Sequence, residues 1–227
     1  MTHPTAPPRQ PAARGLLITI EGPDGSGKTS QAARLAAALI AAGHRVTLSR
    51  EPGGTAAGER IRELLLRADP AAVPIGPRTD VLLFNAARAQ HVDEVIEPAL
   101  ARGEVVIVAR YADSTLAYQG FGSGQPVDEL RAIGAYATAG LRPDLTILLD
   151  VPVAAGLARK GADEHLRFEA AFDVAFHERV RAGFLRLAAE DPSRWVVVDA
   201  TGDEATVAAA LADAVRGLGL AVGSPPA

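Results

Sequence analysis

Eight residues near the start of the chain combine glycines, a lysine and a hydroxyl side chain at a spacing that suits phosphate binding. Residues 22–29 read GPDGSGKT and match the pattern G-x-x-x-x-G-K-[ST]. In this pattern glycine lets backbone N–H groups approach phosphate oxygens, lysine adds a positive charge, and the threonine hydroxyl can bind Mg²⁺. The segment therefore predicts a nucleoside triphosphate site, whose expected residues are Gly22, Asp24, Gly25, Ser26, Gly27, Lys28, Thr29 and Ser30.

Two classes of protein use such a loop, the switch GTPases and the transferases with a second substrate site. A GTPase should carry an N-K-x-D motif that reads guanine, and the nearest match, ARKGAD at 158–163, lacks the asparagine. The switch-like tetrapeptide DATG at 199–202 comes after the last predicted strand, too late in the chain for a switch segment. A transferase is the favoured interpretation.

Polar residues that could form the second site collect after two further apolar runs. Arg50 and Glu51 precede a Pro-Gly-Gly turn, and Phe84, Arg88 and His91 follow at spacings of four and three. On a helix those last three side chains share one face. An aromatic ring and a guanidinium four residues apart can stack on a base and hydrogen-bond its edge. The pattern indicates a nucleobase site, with a core role for the phenylalanine as the alternative.

A third group of polar residues recurs at intervals of four. Arg110, Ser114 and Tyr118 follow the apolar run 105–109. If this segment is helical, the three side chains lie on one stripe and point into one site.

The elements that must position these groups are short apolar runs alternating with alanine- and leucine-rich helical patterns. The strand candidates are 16–20, 45–49, 105–109, 145–149 and 195–198. Helical patterns include 29–42, 57–67, 79–102, 171–190 and 204–216. Strands that are apolar on both faces are typical of a covered parallel sheet. The alternation of strands and helices predicts a doubly wound α/β domain with a five-stranded parallel sheet and ligands at the carboxyl ends of the strands.

The composition is that of one globular domain. The 227 residues are 48% hydrophobic and 22% charged, with a formal net charge of −4. The acidic balance argues against a nucleic acid or an anionic membrane as the main partner, and the apolar run 35–42 is too short to span a bilayer. The chain has no cysteine, which fits the reducing cytoplasm. We expect a disordered tail at 1–14, a single folded domain at 15–216 and a flexible tail at 217–227.

Five stretches resemble the successive signatures of the bacterial thymidylate kinase family, in the family's order. They are EGPDGSGKTSQ, REPGGT, LLFNAARAQH, RYADSTLAYQG and RPDLTILLDVP, and FHERVRAGFLRLAAEDPSRW is similar to a late helix of the family. The resemblance covers about residues 15–216. It implies a P-loop kinase fold with a helical lid, transfer of a phosphoryl group from Mg-ATP to dTMP, and a homodimer.

The resemblance also implies roles for residues at matching positions. Phe84 would stack on thymine while Arg88 and Gln119 hydrogen-bond its edge, with Ser114 nearby. Tyr118 would pack under the sugar, where a ribose 2′-hydroxyl would collide.

A second set implied by the resemblance concerns phosphate and metal. Arg50 and Arg110 would hold the acceptor phosphate, with Arg62 in support. Asp24 and Glu51 would lie near the sugar hydroxyl and the metal-bound waters. The Mg²⁺ would lie at Thr29 and Asp24, and the expected catalytic residues are Lys28, Asp24, Arg110 and Arg159.

Arg159 belongs to residues 158–169, ARKGADEHLRFE, which fall where the family has its lid. One branch of the family has an arginine in the phosphate loop where this chain has Gly25, so here the lid must supply the catalytic cation. Arg159 is the first choice, with Lys160 and Arg167 behind it, and a solvated charged helix is the alternative.

One departure from the family keeps other functions open. The family usually has aspartate before the arginine of RYADSTLAYQG, and this chain has Ala109. That carboxylate is expected to act near Mg²⁺, so its absence leaves a nucleotide-binding protein with impaired catalysis as one alternative. A kinase for another pyrimidine monophosphate, such as dUMP, is the other, because a hydrophobic pocket discriminates a single methyl group by only about 1–3 kcal/mol.

Overall fold

A five-stranded parallel sheet forms the centre of the protein. The computed structural model describes residues 14–66, 75–159 and 173–223. The strands lie in the order β2-β3-β1-β4-β5. Their bounds are Leu16–Glu21 for β1, Val46–Arg50 for β2, Val105–Ala109 for β3, Leu145–Asp150 for β4 and Trp195–Asp199 for β5. All five predicted strands are confirmed to within one residue at each end, because a parallel sheet covered on both faces leaves an uninterrupted apolar run for each strand.

Helices cover both faces of this sheet, as the doubly wound prediction requires. Their bounds are Lys28–Ala41 for α1, Ala56–Leu66 for α2, Pro77–His91 for α3, Glu97–Ala101 for α4, Ala112–Thr115 for α5, Val127–Ala137 for α6, Val153–Arg159 for α7, Val174–Glu190 for α8 and Glu204–Arg216 for α9. Two π-helical turns, Val92–Ile96 and Leu116–Gly122, follow α3 and α5. Among the described residues, no helix is both long and apolar enough to cross a membrane.

The predicted helix over 79–102 is divided into α3, a π-helical turn and α4. Pro98 lies in the first turn of α4 and has no N–H to donate, so the regular pattern of hydrogen bonds cannot continue through it. A π-helical turn absorbs the break without ending the helical path. The chain therefore reaches β3 by a continuous but irregular helical segment.

Side chains alternate between the two faces of β1 and so join separate parts of the core. Ile18 and Ile20 pack with residues of α1 and α9, including Leu39 and Leu211. Leu17 points to the opposite face, where it packs with Val92, Ile96, Ala99, Leu100, Val106, Val108 and Tyr111. A third cluster places β4 and β5 against α8 and the second π-helical turn.

Both chain ends differ from the predicted tails where the structure describes them. Arg14 pairs with Asp144 at 3.3 Å. At the other end, Leu218, Leu220 and Val222 pack against the core, and the backbone N–H of Gly223 donates to the carbonyl of Ala38 at 3.0 Å. The backbone carbonyl of Ala221 lies 3.0 Å from His44 Nε2. Residues 217–223 therefore differ from the predicted flexible tail, because Leu218, Leu220 and Val222 give this segment an apolar side. Residues 1–13 and 224–227 lie outside the described residues.

This packing predicts that the C-terminal segment stabilises the domain. Deleting residues 217–227 should lower the free energy of unfolding by about 2–4 kcal/mol, because three partly buried apolar side chains lose their contacts. Urea unfolding followed by circular dichroism measures the change. Deleting only 224–227 is the control and should have almost no effect; equal losses from the two deletions would contradict the prediction.

Candidate active site

A cleft of about 700 Å³ opens at the carboxyl ends of the central strands. This is the edge at which ligands bind in doubly wound sheets. The phosphate loop, the loop after β2, helices α2 and α3, and the segment after β3 all contribute to its walls. Most of the residues predicted from the sequence line it: Asp24, Gly25, Gly27, Lys28, Thr29, Ser30, Glu51, Arg62, Phe84, Arg88, Arg110, Ser114, Tyr118 and Gln119.

The phosphate loop turns directly from β1 into α1. Gly25 and Gly27 have positive φ angles of 72° and 85°, a conformation that side-chain-bearing residues rarely adopt. A Cβ atom on Gly25 would also overlap the backbone of Gly156 in α7. Lys28 begins α1, and no side chain caps the N-terminus of that helix. Its first N–H groups are therefore available to an anion.

The lysine of the loop is held close to the loop itself. Lys28 Nζ donates to the carbonyl of Pro23 at 2.7 Å and to Ser26 Oγ at 3.2 Å. The side chain is buried but still reaches the wall of the cleft. Its charge thus lies where it could bind the phosphate groups of a nucleotide.

Oxygen donors that suit Mg²⁺ face the same cleft. The Thr29 hydroxyl and the Asp24 carboxylate both belong to its lining, and Mg²⁺ prefers such hard ligands while keeping water and phosphate oxygens in its shell. No group of three or more His, Cys, Asp or Glu in the described part of the chain could hold a metal by itself. The hydroxyl of Thr29 and the carboxylate of Asp24 are the oxygen ligands at this cleft that would fit Mg²⁺.

Arg110 lies at the centre of the cleft, and its backbone corrects one prediction. Its φ angle is +68°, so the residue is not helical, and α5 begins only at Ala112. The condition of a regular helix from Arg110 to Tyr118 is therefore not met, although the three side chains do meet. Arg110 Nη1 lies 3.5 Å from Ser114 Oγ, and Nη2 lies 3.3 Å from the Tyr118 hydroxyl.

An acidic side chain of the phosphate loop completes this cluster. Asp24 Oδ1 accepts hydrogen bonds from Arg110 Nη2 at 2.5 Å and from the Tyr118 hydroxyl at 2.9 Å. The guanidinium also lies over the Tyr118 ring, 4.9 Å from its centroid. Phe176 and Phe184 pack around that ring. The phosphate loop and the segment after β3 are thus directly joined through Asp24 and Arg110.

A buried carboxylate behind the cleft fixes the turn that carries Arg110. Glu21, the last residue of β1, accepts from the backbone N–H of Tyr111 at 2.7 Å and from Ser114 Oγ at 2.6 Å. Burial, with a further contribution from the charge of Asp113, raises the pKa of the Glu21 carboxyl from 4.5 to about 7. Asp113 is itself held by Arg194, whose Nη1 donates to it at 2.8 Å. The backbone around Arg110 is therefore anchored from two sides.

Arg88 is almost fully buried and is held by its neighbours. Its Nε donates to Glu51 Oε2 at 2.8 Å and its Nη1 to Asn85 Oδ1 at 3.0 Å. Its Nη2 donates to the carbonyl of Tyr111 at 3.0 Å and to Thr115 Oγ1 at 3.1 Å. These bonds use up to four of the five N–H groups of a guanidinium. The side chain is thus fixed in one orientation where it borders the cleft.

Glu51 lines the cleft, but both of its oxygens already have protein partners. Oε2 accepts from Arg88, and Oε1 lies 3.1 Å from His91 Nδ1. The observed contacts make Glu51 a support for Arg88, a role that the sequence did not indicate.

Two predicted binding residues have other contacts in the structure. Arg50 donates to the carbonyl of Pro52 at 3.1 Å and to Glu59 Oε2 at 3.2 Å, and it is not among the described residues that line the cleft. The tight turn at Gly53 brings the Glu59 carboxylate against it. Arg62 also donates to Pro52, at 3.0 Å, but does border the cleft. Of the two, the structure brings only Arg62 to the site.

Arg159, the predicted catalytic cation, likewise differs from the expectation. Its Nη1 donates to the carbonyl of Ala200 at 2.7 Å and its Nη2 to that of Thr201 at 3.0 Å. These carbonyls follow β5 and offer two acceptors to one guanidinium, so Arg159 lies away from the described lining of the cleft. Lys160 and Arg167 lie outside the described residues, as does the rest of the predicted lid from 160 to 169.

Four residues that the sequence analysis did not assign to the site support it directly: Glu21, Asn85, Tyr111 and Thr115. Asn85 precedes Arg88 by three residues on α3, so helical spacing could have identified it. Thr115 is adjacent to Ser114 in sequence. Glu21 and the backbone of Tyr111 gave no such signal, because their contacts depend on how β1 and β3 lie beside each other in the sheet.

The fold and the cleft together define a class of protein. A phosphate loop follows the central strand of a parallel sheet, and the cleft beside it holds a second cluster of arginines and aromatic residues. This arrangement is that of a P-loop nucleotide kinase.

Comparisons with known proteins identify the family. The model of the family described as thymidylate kinase matches residues 20–211. The thymidylate kinase of Deinococcus radiodurans is 55% identical over 195 residues, which are 85% of this chain and 92% of that protein. That of Desulforudis audaxviator is 48% identical over 205 residues, covering 90% and 91%. The solved structure of thymidylate kinase from Ehrlichia chaffeensis has a TM-score of 0.66 at 33% identity and covers 82% of this chain and 93% of that one. The chain belongs to the thymidylate kinase family and is a phosphotransferase.

The pKa of Glu21 predicts a specific dependence of stability on pH. Between pH 4.5 and about 7 the folded state keeps a proton that the unfolded state releases, so stability falls as the pH rises. Glu21→Gln keeps an acceptor for Tyr111 and a donor for Ser114 but removes the titration. The variant should gain up to about 3 kcal/mol relative to the native chain between pH 4.5 and 8.

Urea unfolding at a series of pH values measures this difference. Glu104→Gln is the control: the pKa of Glu104 is lowered to about 2, chiefly by hydrogen bonding to Arg102, so it stays ionised throughout that range. Its difference from the native chain should be constant from pH 5 to 8. A flat difference for Glu21→Gln as well would show that Glu21 is ionised in the folded state.

Proposed function

We propose that the chain transfers the γ-phosphoryl group of Mg-ATP to dTMP, giving dTDP and ADP. The observation that carries the proposal is the direct contact between the phosphate loop and the acceptor arginine, Asp24 to Arg110, inside one cleft. The family membership supports the substrate pair. A donor phosphate on the loop and an acceptor phosphate at Arg110 would then face each other.

Charge neutralisation is the main chemical task in such a transfer. The donor and the acceptor are both anionic, so cations must offset their repulsion while the reacting atoms are held in line. Lys28 and the N-terminus of α1 serve the donor side, and Arg110 serves the acceptor side. Thr29 and Asp24 would hold Mg²⁺, which neutralises charge on the transferred group when bound. The acceptor oxygen is ionised at neutral pH, so we assign no general base.

The rest of the cleft suits a pyrimidine deoxynucleotide. Phe84 would stack on the base, and Arg88 and Gln119 would hydrogen-bond its edge. Tyr118 packs against two phenylalanines near Arg110 and would exclude a 2′-hydroxyl. A hydrophobic contact to the thymine methyl is worth only about 1–3 kcal/mol, so some dUMP turnover is expected.

Ala109 supports a second candidate, a nucleotide-binding protein with impaired catalysis. It ends β3, aligned with Ile20 of β1 and with Arg50 of β2, and packs in the core. No carboxylate therefore extends from this strand end. Asp24, which lines the same cleft, is the group we expect to substitute for it.

We also infer a homodimer that acts in the cytoplasm. Leu64 on α2 and Leu82 on α3 are 60% and 59% exposed on neighbouring helices, which gives a second copy an apolar surface to cover. The absence of cysteine suits a reducing compartment.

ADP formation from Mg-ATP with dTMP, dUMP, UMP or no acceptor tests the proposed reaction. We expect strong turnover with dTMP, weaker turnover with dUMP and almost none with UMP. Ala109→Asp and Ala109→Asn, each checked by urea unfolding, separate the effect of a charge from that of added volume. A silent native chain that binds dTMP and is activated by Asp but not Asn would establish the binding protein instead.

Replacing Arg110 tests the division between donor and acceptor sites. Arg110→Ala should lower kcat/KM for dTMP by at least about 10³-fold, since it removes the cation on the acceptor phosphate, while ATP binding stays near native. Arg110→Lys should recover little of this activity, because lysine cannot bind phosphate in a bidentate way. Arg142→Ala, outside the cleft and paired with Asp191, is the control. Loss of ATP affinity in Arg110→Ala would place the arginine on the donor side.

A further inference from the structure

A chain of buried hydrogen bonds runs from the edge strand β2 to the guanidinium of Arg88. Ser49 Oγ lies 2.7 Å from His91 Nε2, and His91 Nδ1 lies 3.1 Å from Glu51 Oε1. Glu51 Oε2 in turn accepts from Arg88 Nε at 2.8 Å. The exposed fraction is 0% for His91, 5% for Glu51 and 2% for Arg88. These hydrogen bonds thus connect a fully buried imidazole to a side chain that borders the cleft.

The chemistry of the partners fixes the roles of the two imidazole nitrogens. An ionised carboxylate can only accept hydrogen bonds, so Nδ1 must donate to Glu51. In the neutral ring Nε2 then accepts from the Ser49 hydroxyl. The bond at Nδ1 restrains Glu51 Oε1, which leaves Oε2 aimed at Arg88.

His91 also limits how the loop after β2 can lie. A Cβ atom on Gly54 would come within 2.8 Å of His91 Cδ2 and Nε2, so the loop backbone passes directly over the ring. Glu51 starts this loop and forms a cis peptide bond with Pro52. The imidazole therefore supports Glu51 through a hydrogen bond and supports the loop that follows it through close packing.

We propose that His91 is a positioning residue that determines base discrimination: through Glu51 it holds the Arg88 guanidinium at the angle needed to donate to the 4-oxo edge of a pyrimidine. The inference rests on the proposed function, in which Arg88 contacts the base. His91 does not belong to the described lining of the cleft, so its effect on Arg88 is transmitted by Glu51. A site built to donate to an oxygen strongly rejects an analogue that lacks it, provided that the donor is held in place.

Two substitutions separate the bonds at the two nitrogens. His91→Asn puts an amide near the position of Nδ1, so it can donate to Glu51 while losing the bond to Ser49. His91→Gln reaches the position of Nε2 and keeps Ser49 while losing Glu51. Both remove an imidazole from the same buried site. A role in packing alone would make the two variants similar, whereas the positioning role makes them different.

The readout is the ratio of kcat/KM for dTMP to that for 5-methyl-dCMP, whose 4-amino group replaces the oxygen that Arg88 would contact. We expect His91→Gln to lower this ratio by about 10- to 100-fold, the range for one well-placed hydrogen bond. His91→Asn and Ser49→Ala should keep it within about threefold, since both retain the donor to Glu51. KM for ATP should stay near native in every variant, because the phosphate loop takes no part in the hydrogen bonds from Ser49 to Arg88.

Urea unfolding accompanies each assay. If His91→Gln loses its cooperative transition, His91→Leu takes its place, since leucine fills a similar volume and likewise cannot donate to Glu51; the same fall in the ratio is expected. An unchanged ratio in the Gln or Leu variant, or equal falls in the Asn and Gln variants, would overturn the inference. Absence of dTMP-dependent turnover in the native chain would instead count against the proposed function, so the two failures are distinguishable.

Discussion

The backbone of Tyr111 is the point on which the part of the cleft around Arg88 and Arg110 depends. Its N–H donates to the buried carboxylate of Glu21, and its carbonyl accepts from the guanidinium of Arg88. Arg110 immediately precedes it in a left-handed conformation that costs about 1 kcal/mol or more for a residue with a side chain. Two hydrogen bonds to one residue thus hold a strained turn and keep Arg88 and Arg110 at a fixed separation.

This arrangement requires charged groups to be buried, which is unfavourable unless they are paired. Glu51 and Arg88 are both buried, and Glu51 Oε2 accepts from Arg88 Nε at 2.8 Å. A buried pair of this kind contributes little net stability compared with apolar packing, but it loses much when one partner is removed. Its benefit is geometric, because groups that are already oriented need no reorganisation when a substrate binds.

Sequence reasoning succeeded where local pattern alone decides the structure. Apolar runs determined the five strands, and the glycine spacing identified the phosphate loop with its strand and helix. Predictions about side-chain direction were less successful, because they depend on acceptors supplied by distant segments. Arg50 binds a carboxylate brought close by a glycine turn, and Arg159 binds carbonyls after β5. Neither contact leaves a periodic signal in the sequence.

The same dependence on distant segments explains the arrangement of Arg110, Ser114 and Tyr118. A spacing of four predicted one helical stripe, but the observed path is a left-handed residue, a short α-helix and a π-helical turn. The side chains meet because Glu21 and Asp24 draw them together from β1 and the phosphate loop. Here tertiary contacts determined the local conformation.

The single tryptophan of the chain lies close to the segment that carries Arg110 and Ser114. Trp195 is buried, and the guanidinium of Arg194 lies 5.0 Å from the centre of its ring. Arg194 binds Asp113, the neighbour of Ser114 in the helix that follows Arg110. The tryptophan fluorescence of the unmodified protein therefore comes from one residue, two side chains removed from Ser114 in the lining of the cleft, and the native sequence carries its own optical probe of that site.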